Sequence, residues 1–271
     1  MTPSVLIFDS GVGGLSIAAE IRSLIPTLPI HYLMDDAGFP YGTCSDEWLV
    51  QRIVTLCSNA QQRLSNDILV VACNTASTLA LDQLRAELSI PVVGVVPAVK
   101  TAAQLTETGE IGLLATPATV GRTYTRNLIQ QFAGHCRVRL KGSSELVHWA
   151  EDYLHSHQVP AALHEHLDHW LHSPVPMSHV VLGCTHFPLL RQELETLWPD
   201  VCWIDSGAAI ARRVAYCLDQ QHIRIPVPDA DLSGDCLWWT SEKSEQPGAE
   251  NYLAQLGFVV SSGSLNRPLE R

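Results

Sequence analysis

The sequence is poor in basic residues, and this scarcity argues against functions that need a cationic surface. Its 271 residues include 17 Lys and Arg against 28 Asp and Glu, so the formal net charge is −11. Because nucleic-acid binding needs basic patches that neutralise phosphates, we expect no nucleic-acid partner. A small anionic substrate remains compatible with this charge, since backbone N–H groups alone can bind an anion.

Long apolar runs and paired-cysteine motifs are also missing. No apolar stretch approaches the roughly 18 residues of a membrane span. The first basic side chain is Arg22, so the cationic start of a signal peptide is absent. We therefore expect no membrane partner and a cytoplasmic location. The eight cysteines contain no C-x-x-C pair, which favours free thiols over disulfides or a metal centre.

The usual cofactor signatures are lacking as well. The glycine loop "GVGG" (11–14) is followed by Ser16 where the dinucleotide motif needs its third glycine, and no G-K-[ST] triplet occurs. None of the three lysines lies in a strand-end loop, which disfavours a pyridoxal phosphate Schiff base. We interpret the histidine-rich stretch from His148 to His179 as a solvated helix face, so no metal is expected.

What the sequence does contain is an alternation of short apolar runs with segments of helical periodicity. The runs "VLIFD" (5–9), "IHYLMD" (30–35), "ILVVAC" (68–73) and "PVVGVV" (91–96) predict buried strands. A similar series restarts at "EIGLLAT", and "LWWTS" (237–241) and "GFVVSS" (257–262) predict further strands. This pattern predicts an α/β protein with two similar doubly wound parallel-sheet domains related by pseudo-symmetry.

Two cysteines occupy equivalent places in the two series. Cys73 ends a strand in "VVACNTAST", and Cys184 ends the corresponding strand in "VVLGCTHFP". Ligands of parallel sheets bind beyond the carboxyl ends of the strands, so both thiols are candidates for one site. A thiol titrates near pH 8.5 and can be tuned lower, so it can act as acid or base. Two thiols could therefore invert a stereocentre by removing a proton from one face and returning one to the other.

Each thiol has a candidate helper. His186 follows Cys184 by two residues, and Asp9 ends the first strand in the half that contains Cys73. The alternatives are a loop histidine without a role and a helix N-cap aspartate. The loop "DSGVGG" and the turn "FPYGTCS" (39–45) offer backbone N–H groups that could hold a carboxylate.

Five motifs together resemble the glutamate racemases of the aspartate/glutamate racemase superfamily, from about residue 5 to residue 215: "IFDSGVGGLS", "DDAGFPYG", "VVACNTAST", "VVLGCTHFPLL" and "IDSGAAIA". The resemblance implies cofactor-independent interconversion of L- and D-glutamate, which would supply D-glutamate for peptidoglycan. It also implies an active site in the cleft between two α/β domains, formed by residues 1–97 plus 208–271 and by residues 98–207.

The resemblance implies a role for each matching residue. Cys73 would handle the proton of D-glutamate and Cys184 that of L-glutamate, assisted by Asp9 and His186. Glu151 matches a family glutamate near the second thiol, although "SSELVHWAEDY" departs from the family's usual stretch there. The substrate-binding residues so implied are Asp9, Ser10, Tyr41, Gly42, Asn74, Thr75, Thr116, Thr119, Thr185 and His186.

Other functions and partners stay open at this point. An aspartate or hydantoin racemase is one alternative, but aspartate relatives carry Glu after the second Cys-Thr, so His186 favours glutamate. Another is a hydrolase that uses Cys184 and His186 as a nucleophile pair, and a third is a non-catalytic binding module. A homodimer and a cell-wall precursor activator are further partners to test. Some relatives link that activation to an N-terminal extension. We do not expect that mode of regulation here.

Overall fold

The predicted α/β class with parallel sheets is confirmed in the computed structural model, which describes residues 2–172, 175, 177–225, 234–242, 246–258 and 260–264. Two compact units are present, Met1–Val95 with Gly207–Arg271 and Val96–Ser206. Each unit contains its own sheet, and all the strand pairs recorded in the described residues are parallel.

The described residues form ten strands: β1 Val5–Asp9, β2 Ile30–Met34, β3 Ile68–Val71, β4 Val92–Gly94, β5 Glu110–Ala115, β6 Arg137–Gly142, β7 His179–Leu182, β8 Cys202–Ile204, β9 Asp235–Trp239 and β10 Val260–Ser264. The helices are α1 Leu15–Leu24, α2 Asp46–Leu64, α3 Asn74–Glu87, α4 Val99–Leu105, α5 Pro117–Gly121, α6 Thr123–Ala133, α7 Glu145–Ser156, α8 Ala162–His172, α9 Arg191–Leu197, α10 Gly207–Gln220 and α11 Pro247–Gln255. Two short 3₁₀ turns, Tyr41–Thr43 and Phe187–Leu190, complete the set. None of these helices combines the length and apolar content that a bilayer span requires.

The two sheets repeat one strand order. The first runs β10-β9-β2-β1-β3-β4, and the second runs β6-β5-β7-β8. When β1 to β4 are matched with β5 to β8, the four-stranded cores have the same topology, as the repeated sequence pattern predicted. The central strands β1 and β3 are buried along their whole length. Strands covered on both faces read as continuous apolar runs, which explains their sequences.

Matching main-chain hydrogen bonds align the two units residue by residue. They join Ala72 N to Phe8 O (2.8 Å) and Gly183 N to Leu114 O (2.7 Å), and likewise Asp35 N to Asp9 O (2.8 Å) and Ser143 N to Ala115 O (2.9 Å). Cys73 and Cys184 are therefore equivalent positions. The same alignment pairs the carboxylate of Asp9 with the methyl group of Ala115, so the two units differ in chemistry where they agree in fold.

The two C-terminal strands overlap the predicted segments 237–241 and 257–262 but are shifted, since β9 is Asp235–Trp239 and β10 is Val260–Ser264, and residue 259 is outside the described residues. β9 begins earlier and ends before Ser241. The N–H of Ser241 donates to Asp36 Oδ1 at 2.8 Å instead of joining a strand ladder. The carboxylate of Asp36, which follows β2 and is distant in sequence, thus ends β9. The local sequence pattern of β9 does not indicate this contact.

Close backbone packing places the glycine loop against β1. A Cβ atom added to Gly14 would lie 2.7 Å from the hydroxyl oxygen of Tyr32 and 2.9 Å from Asp9 Cβ. Only glycine therefore fits at the start of α1, and the loop is held directly over the carboxyl end of β1.

Candidate active site

The first thiol lies between a strand end and a helix start. Cys73 follows β3 closely and is the N-cap residue of α3, and it is 7% exposed. The N-terminus of a helix carries partial positive charge, which favours the thiolate form of a cysteine placed there. Ser10 Oγ lies 3.6 Å from Cys73 Sγ and 3.5 Å from Asp9 Oδ1. Ser10 thus links the thiol to the carboxylate, a contact that sequence reasoning did not foresee.

Asp9 is fully buried at the end of β1. Its Oδ1 accepts a hydrogen bond from Gly11 N at 3.0 Å, and the carbonyl of Gly11 accepts one from the Tyr32 hydroxyl at 2.8 Å. A buried carboxylate needs such donors to offset its desolvation. The glycine loop therefore holds Asp9 in one orientation.

Asn74 and Thr75 form the first turn of α3 and are both buried. Asn74 Nδ2 donates to Val95 O at 3.3 Å, and the Ser77 hydroxyl donates to Val71 O at 2.8 Å while accepting from Val95 N at 3.0 Å. These contacts fasten the start of α3 to the ends of β3 and β4. The first N–H groups of the helix are thereby held at the carboxyl edge of the sheet, where they suit an anion.

The second thiol begins a chain of three functional groups. Cys184 Sγ lies 3.8 Å from His186 Nδ1, and His186 Nε2 lies 2.8 Å from Glu151 Oε1. Cys184 and His186 follow β7 and are 8% and 2% exposed, whereas Glu151 comes from α7. The thiol, the imidazole and the carboxylate form a relay in which each group can orient the next.

The surroundings of His186 favour its charged form. Burial lowers the pKa of His186, but its hydrogen bonds to the Cys184 thiol and the Glu151 carboxylate raise it, and the net pKa lies well above the ordinary value. An imidazolium paired with the Glu151 carboxylate is expected to persist at neutral pH.

Replacing Glu151 with Gln is expected to lower the pKa of His186, because the variant loses the carboxylate that stabilises the imidazolium. The wild-type raised pKa contributes stability that is fully present below the unfolded value, about pH 6.5, and is lost as pH rises through the folded pKa. In Glu151→Gln that loss should be complete at lower pH, because only the folded pKa is lowered. Histidine NMR titration measures the midpoint, with the His186 signal assigned by its absence in His186→Asn. An unchanged midpoint would contradict the ion-pair assignment.

Threonine side chains follow the strands β5 and β7 of the second unit. Thr116 follows β5 and caps α5, since its Oγ1 accepts from Thr119 N at 3.2 Å and donates to Thr119 Oγ1 at 3.0 Å. Thr119 is fully buried, and Thr185 is 3% exposed beside the second thiol. The main-chain alignment makes Thr116 the equivalent of Ser10. Both units therefore place a hydroxyl directly after their first strand.

Within the Tyr41–Thr43 turn, the two residues predicted to bind substrate have different surroundings. The Tyr41 side chain is buried and its hydroxyl donates to Asp35 Oδ2 at 2.6 Å, so this side chain is part of the protein interior. Gly42 is exposed, and a Cβ added there would meet no atom within 4 Å. Of Tyr41 and Gly42, the part open to a substrate is therefore the backbone of Gly42. Sequence reasoning missed Asp35, although it follows β2 as Asp9 ends β1.

The histidine-rich stretch contributes mostly surface. On α8 the side chain of His164 stacks on Trp198 with ring centroids 5.5 Å apart, and His172 lies 3.1 Å from Asp168. His166 is more buried and its Nε2 lies 2.9 Å from Ser143 Oγ. Across the described part of the chain, no group of three or more His, Cys, Asp or Glu residues is arranged to hold a metal ion.

Comparison with known proteins identifies the class to which this fold and these strand ends belong. The family model described as Asp/Glu/Hydantoin racemase matches residues 15–214. A curated glutamate racemase from Klebsiella pneumoniae (strain 342) is 49% identical over 249 residues, covering 90% of this chain and 86% of the relative. The chain belongs to the Asp/Glu/hydantoin racemase family.

Solved structures narrow the class further. Escherichia coli glutamate racemase, crystallised with L-glutamate and the activator UDP-MurNAc-ala, is 45% identical with a TM-score of 0.87, and the match covers 98% of both chains. A glutamate racemase isoform from Bacillus anthracis is 27% identical with a TM-score of 0.82 and 99% coverage of both. Within the family, these relatives place the chain among the glutamate racemases, which are isomerases.

Proposed function

We propose that the chain interconverts L- and D-glutamate without a cofactor, using Cys73 and Cys184 as its two acid/base groups. The observation that carries this proposal is the hydrogen-bonded chain from Cys184 through His186 to Glu151. It is matched by Cys73 at the equivalent strand end, with Ser10 and Asp9 beside it. Inversion at Cα needs an acid/base group on each face of a planar intermediate, and two such thiols meet that need.

The proton balance of the proposed reaction is simple. In the L-to-D direction the Cys184 thiolate removes the Cα proton, and the Cys73 thiol donates a proton to the opposite face of the carbanion. Cys184 ends as a thiol and Cys73 as a thiolate, so the reverse reaction starts from that state. His186 stabilises the Cys184 thiolate and Asp9 exchanges a proton with the Cys73 side. The Cα–H bond is a very weak acid, so the carbanion forms only when its charge is stabilised. We infer that the helix N-terminus and neighbouring N–H groups supply this stabilisation.

An experiment in D₂O tests this function. The pure protein is incubated with L-glutamate without added cofactor, and optical rotation and deuterium at Cα are followed together. We expect loss of rotation with deuterium entering the D product. Unchanged optical rotation with no deuterium at Cα would contradict the racemase and leave the thiol hydrolase as the alternative. The same assay with L-aspartate separates the glutamate enzyme from the aspartate alternative.

We further propose that neutral donors hold both glutamate carboxylates. The strand-end motifs "DSGVGG", "PYGT", "CNTAST" and "GCTHFP" contain no Lys or Arg. Helix N-termini favour an anion by roughly 0.3–1 kcal/mol each at exposed sites. A Lys or Arg on a substrate carboxylate would bind ground state and transition state alike, which lowers KM without raising turnover.

Combining Ser10→Ala with Thr185→Val is expected to weaken glutamate binding by about tenfold or more, because two neutral hydroxyl donors are lost. Calorimetric titration with D-glutamate measures the affinity, and circular dichroism checks that the fold is intact. Unchanged affinity would contradict the proposal, as would a glutamate-bound structure with a direct Lys or Arg salt bridge to either carboxylate.

Domain assignment and cellular role extend the proposal. We assign residues 1–97 plus 208–271 to one domain and 98–207 to the other, and we infer that the D-glutamate product supplies peptidoglycan. The activator in the E. coli structure suggests a cell-wall precursor as an effector of this chain. Steady-state turnover with and without UDP-MurNAc-Ala tests this, and equal kcat in both would contradict activation.

A further inference from the structure

Asp35 is a buried carboxylate outside the residues assigned so far, and its hydrogen-bonding capacity is filled. Its Oδ1 accepts from Arg52 Nη2 and from Thr240 Oγ1, each at 2.6 Å. Its Oδ2 accepts from Arg52 Nε and from the Tyr41 hydroxyl, again at 2.6 Å. A carboxylate offers about four acceptor sites, so these four bonds use all of them.

The charges in this cluster stabilise its geometry. Arg52 binds both oxygens of Asp35 in a bidentate pair, which offsets the cost of burying the carboxylate. Burial raises the pKa of Tyr41, and the neighbouring Asp35 raises it further, so the hydroxyl stays a donor. Breaking any one contact would leave a buried charge or acceptor unpaired. The Tyr41 ring is therefore fixed relative to the end of β2.

The chain between Asp35 and Tyr41 is fitted tightly around that carboxylate. Asp35 N donates to Asp9 O at 2.8 Å, so Asp35 shares the sheet edge of Asp9. Gly38 N donates to Asp35 O at 3.0 Å, and a Cβ added to Gly38 would lie 2.6 Å from Asp35 Oδ2. Ala37 N also donates to Thr240 Oγ1 at 3.1 Å. These contacts fix the backbone that leads from Asp35, at the sheet edge, to the exposed Gly42.

We propose that Asp35 is a positioning residue that holds the Tyr41–Thr43 turn so that the backbone N–H of Gly42 meets a carboxylate of glutamate. This inference rests on the proposed function. Asp35 acts through Tyr41 and does not touch the substrate. Asp35 should stabilise the bound substrate and the transition state equally. Its replacement should therefore change KM and not kcat.

Replacing Asp35 with Asn tests the proposal against a matched control. We expect KM for both enantiomers to rise about tenfold or more, with kcat within about threefold of wild type. The control is Asp36→Asn, which removes the neighbouring carboxylate. Its hydrogen bonds go to Thr240, Ser241 and Gln246 at the C-terminal segment. The control should lower stability and leave KM unchanged. Equal KM changes in both variants would mean a general structural effect and overturn the proposal.

A milder variant keeps the test decisive if Asp35→Asn does not fold. Tyr41→Phe removes only the hydroxyl, and it should raise KM by a smaller factor at unchanged kcat. When both variants fold, the double variant should have the KM of Asp35→Asn, because the two residues act through one contact. Additive KM changes would overturn the inference, as would an unchanged KM in Tyr41→Phe. A wild-type protein that does not racemise or bind glutamate would instead overturn the proposed function.

Discussion

Replacing Cys73 or Cys184 with Ser is expected to reduce racemisation of free glutamate by about 10³-fold or more. In the proposed mechanism, each substitution removes one of two acid/base groups, and a single general acid or base contributes about 10²–10⁴-fold. A serine hydroxyl is far less acidic than a thiol and cannot replace it at neutral pH. Polarimetry with both enantiomers measures the loss. Either variant should retain glutamate binding, because the neighbouring donors remain in place.

The matched control is Cys202→Ser, since Cys202 is an exposed free cysteine on β8 away from both strand-end motifs. That variant should keep wild-type turnover. Full racemase activity in Cys73→Ser would refute the two-thiol mechanism. If the wild type and all the cysteine variants bind glutamate but none of them turns it over, the chain would be a non-catalytic binding module.

Replacing His186 with Asn is expected to lower kcat by about 10²-fold or more in the L-to-D direction and less in the D-to-L direction. In the proposed mechanism, the variant removes the imidazolium that stabilises the Cys184 thiolate, which is the base for L-glutamate. Asp9→Asn is expected to show the opposite preference, because Asp9 serves the Cys73 side. The two units support this difference, since the equivalent of Asp9 in the second unit is Ala115.

Directional kinetics measure this asymmetry. Thermodynamics sets the ratio of kcat/KM for the two directions, so a directional effect must appear in kcat with a compensating change in KM. Circular dichroism of the product and initial rates from each enantiomer give both constants. Equal kcat losses in both directions for both variants would contradict the assignment of helpers to thiols.

Local sequence pattern was enough to predict the strands of the two repeated halves and the place of both thiols. Continuous apolar runs such as "VLIFD" and "ILVVAC" predict strands buried on both faces, because a central parallel strand has no solvated side. The chain direction then puts whatever follows each strand at one edge of the sheet. Asp9, Cys73, Cys184 and His186 could therefore be singled out from their position after a strand.

Contacts between distant segments could only come from the tertiary structure. Glu151 lies on α7, 35 residues from His186, and only the packing of that helix brings its carboxylate to the imidazole. Asp35 and Thr240 are 205 residues apart and meet because β9 adds to the sheet beside β2. Sequence periodicity reports which face of an element is buried, whereas partner choice depends on how elements pack. The thiols could thus be predicted from the sequence, whereas the groups that orient and support them are brought together only by tertiary packing.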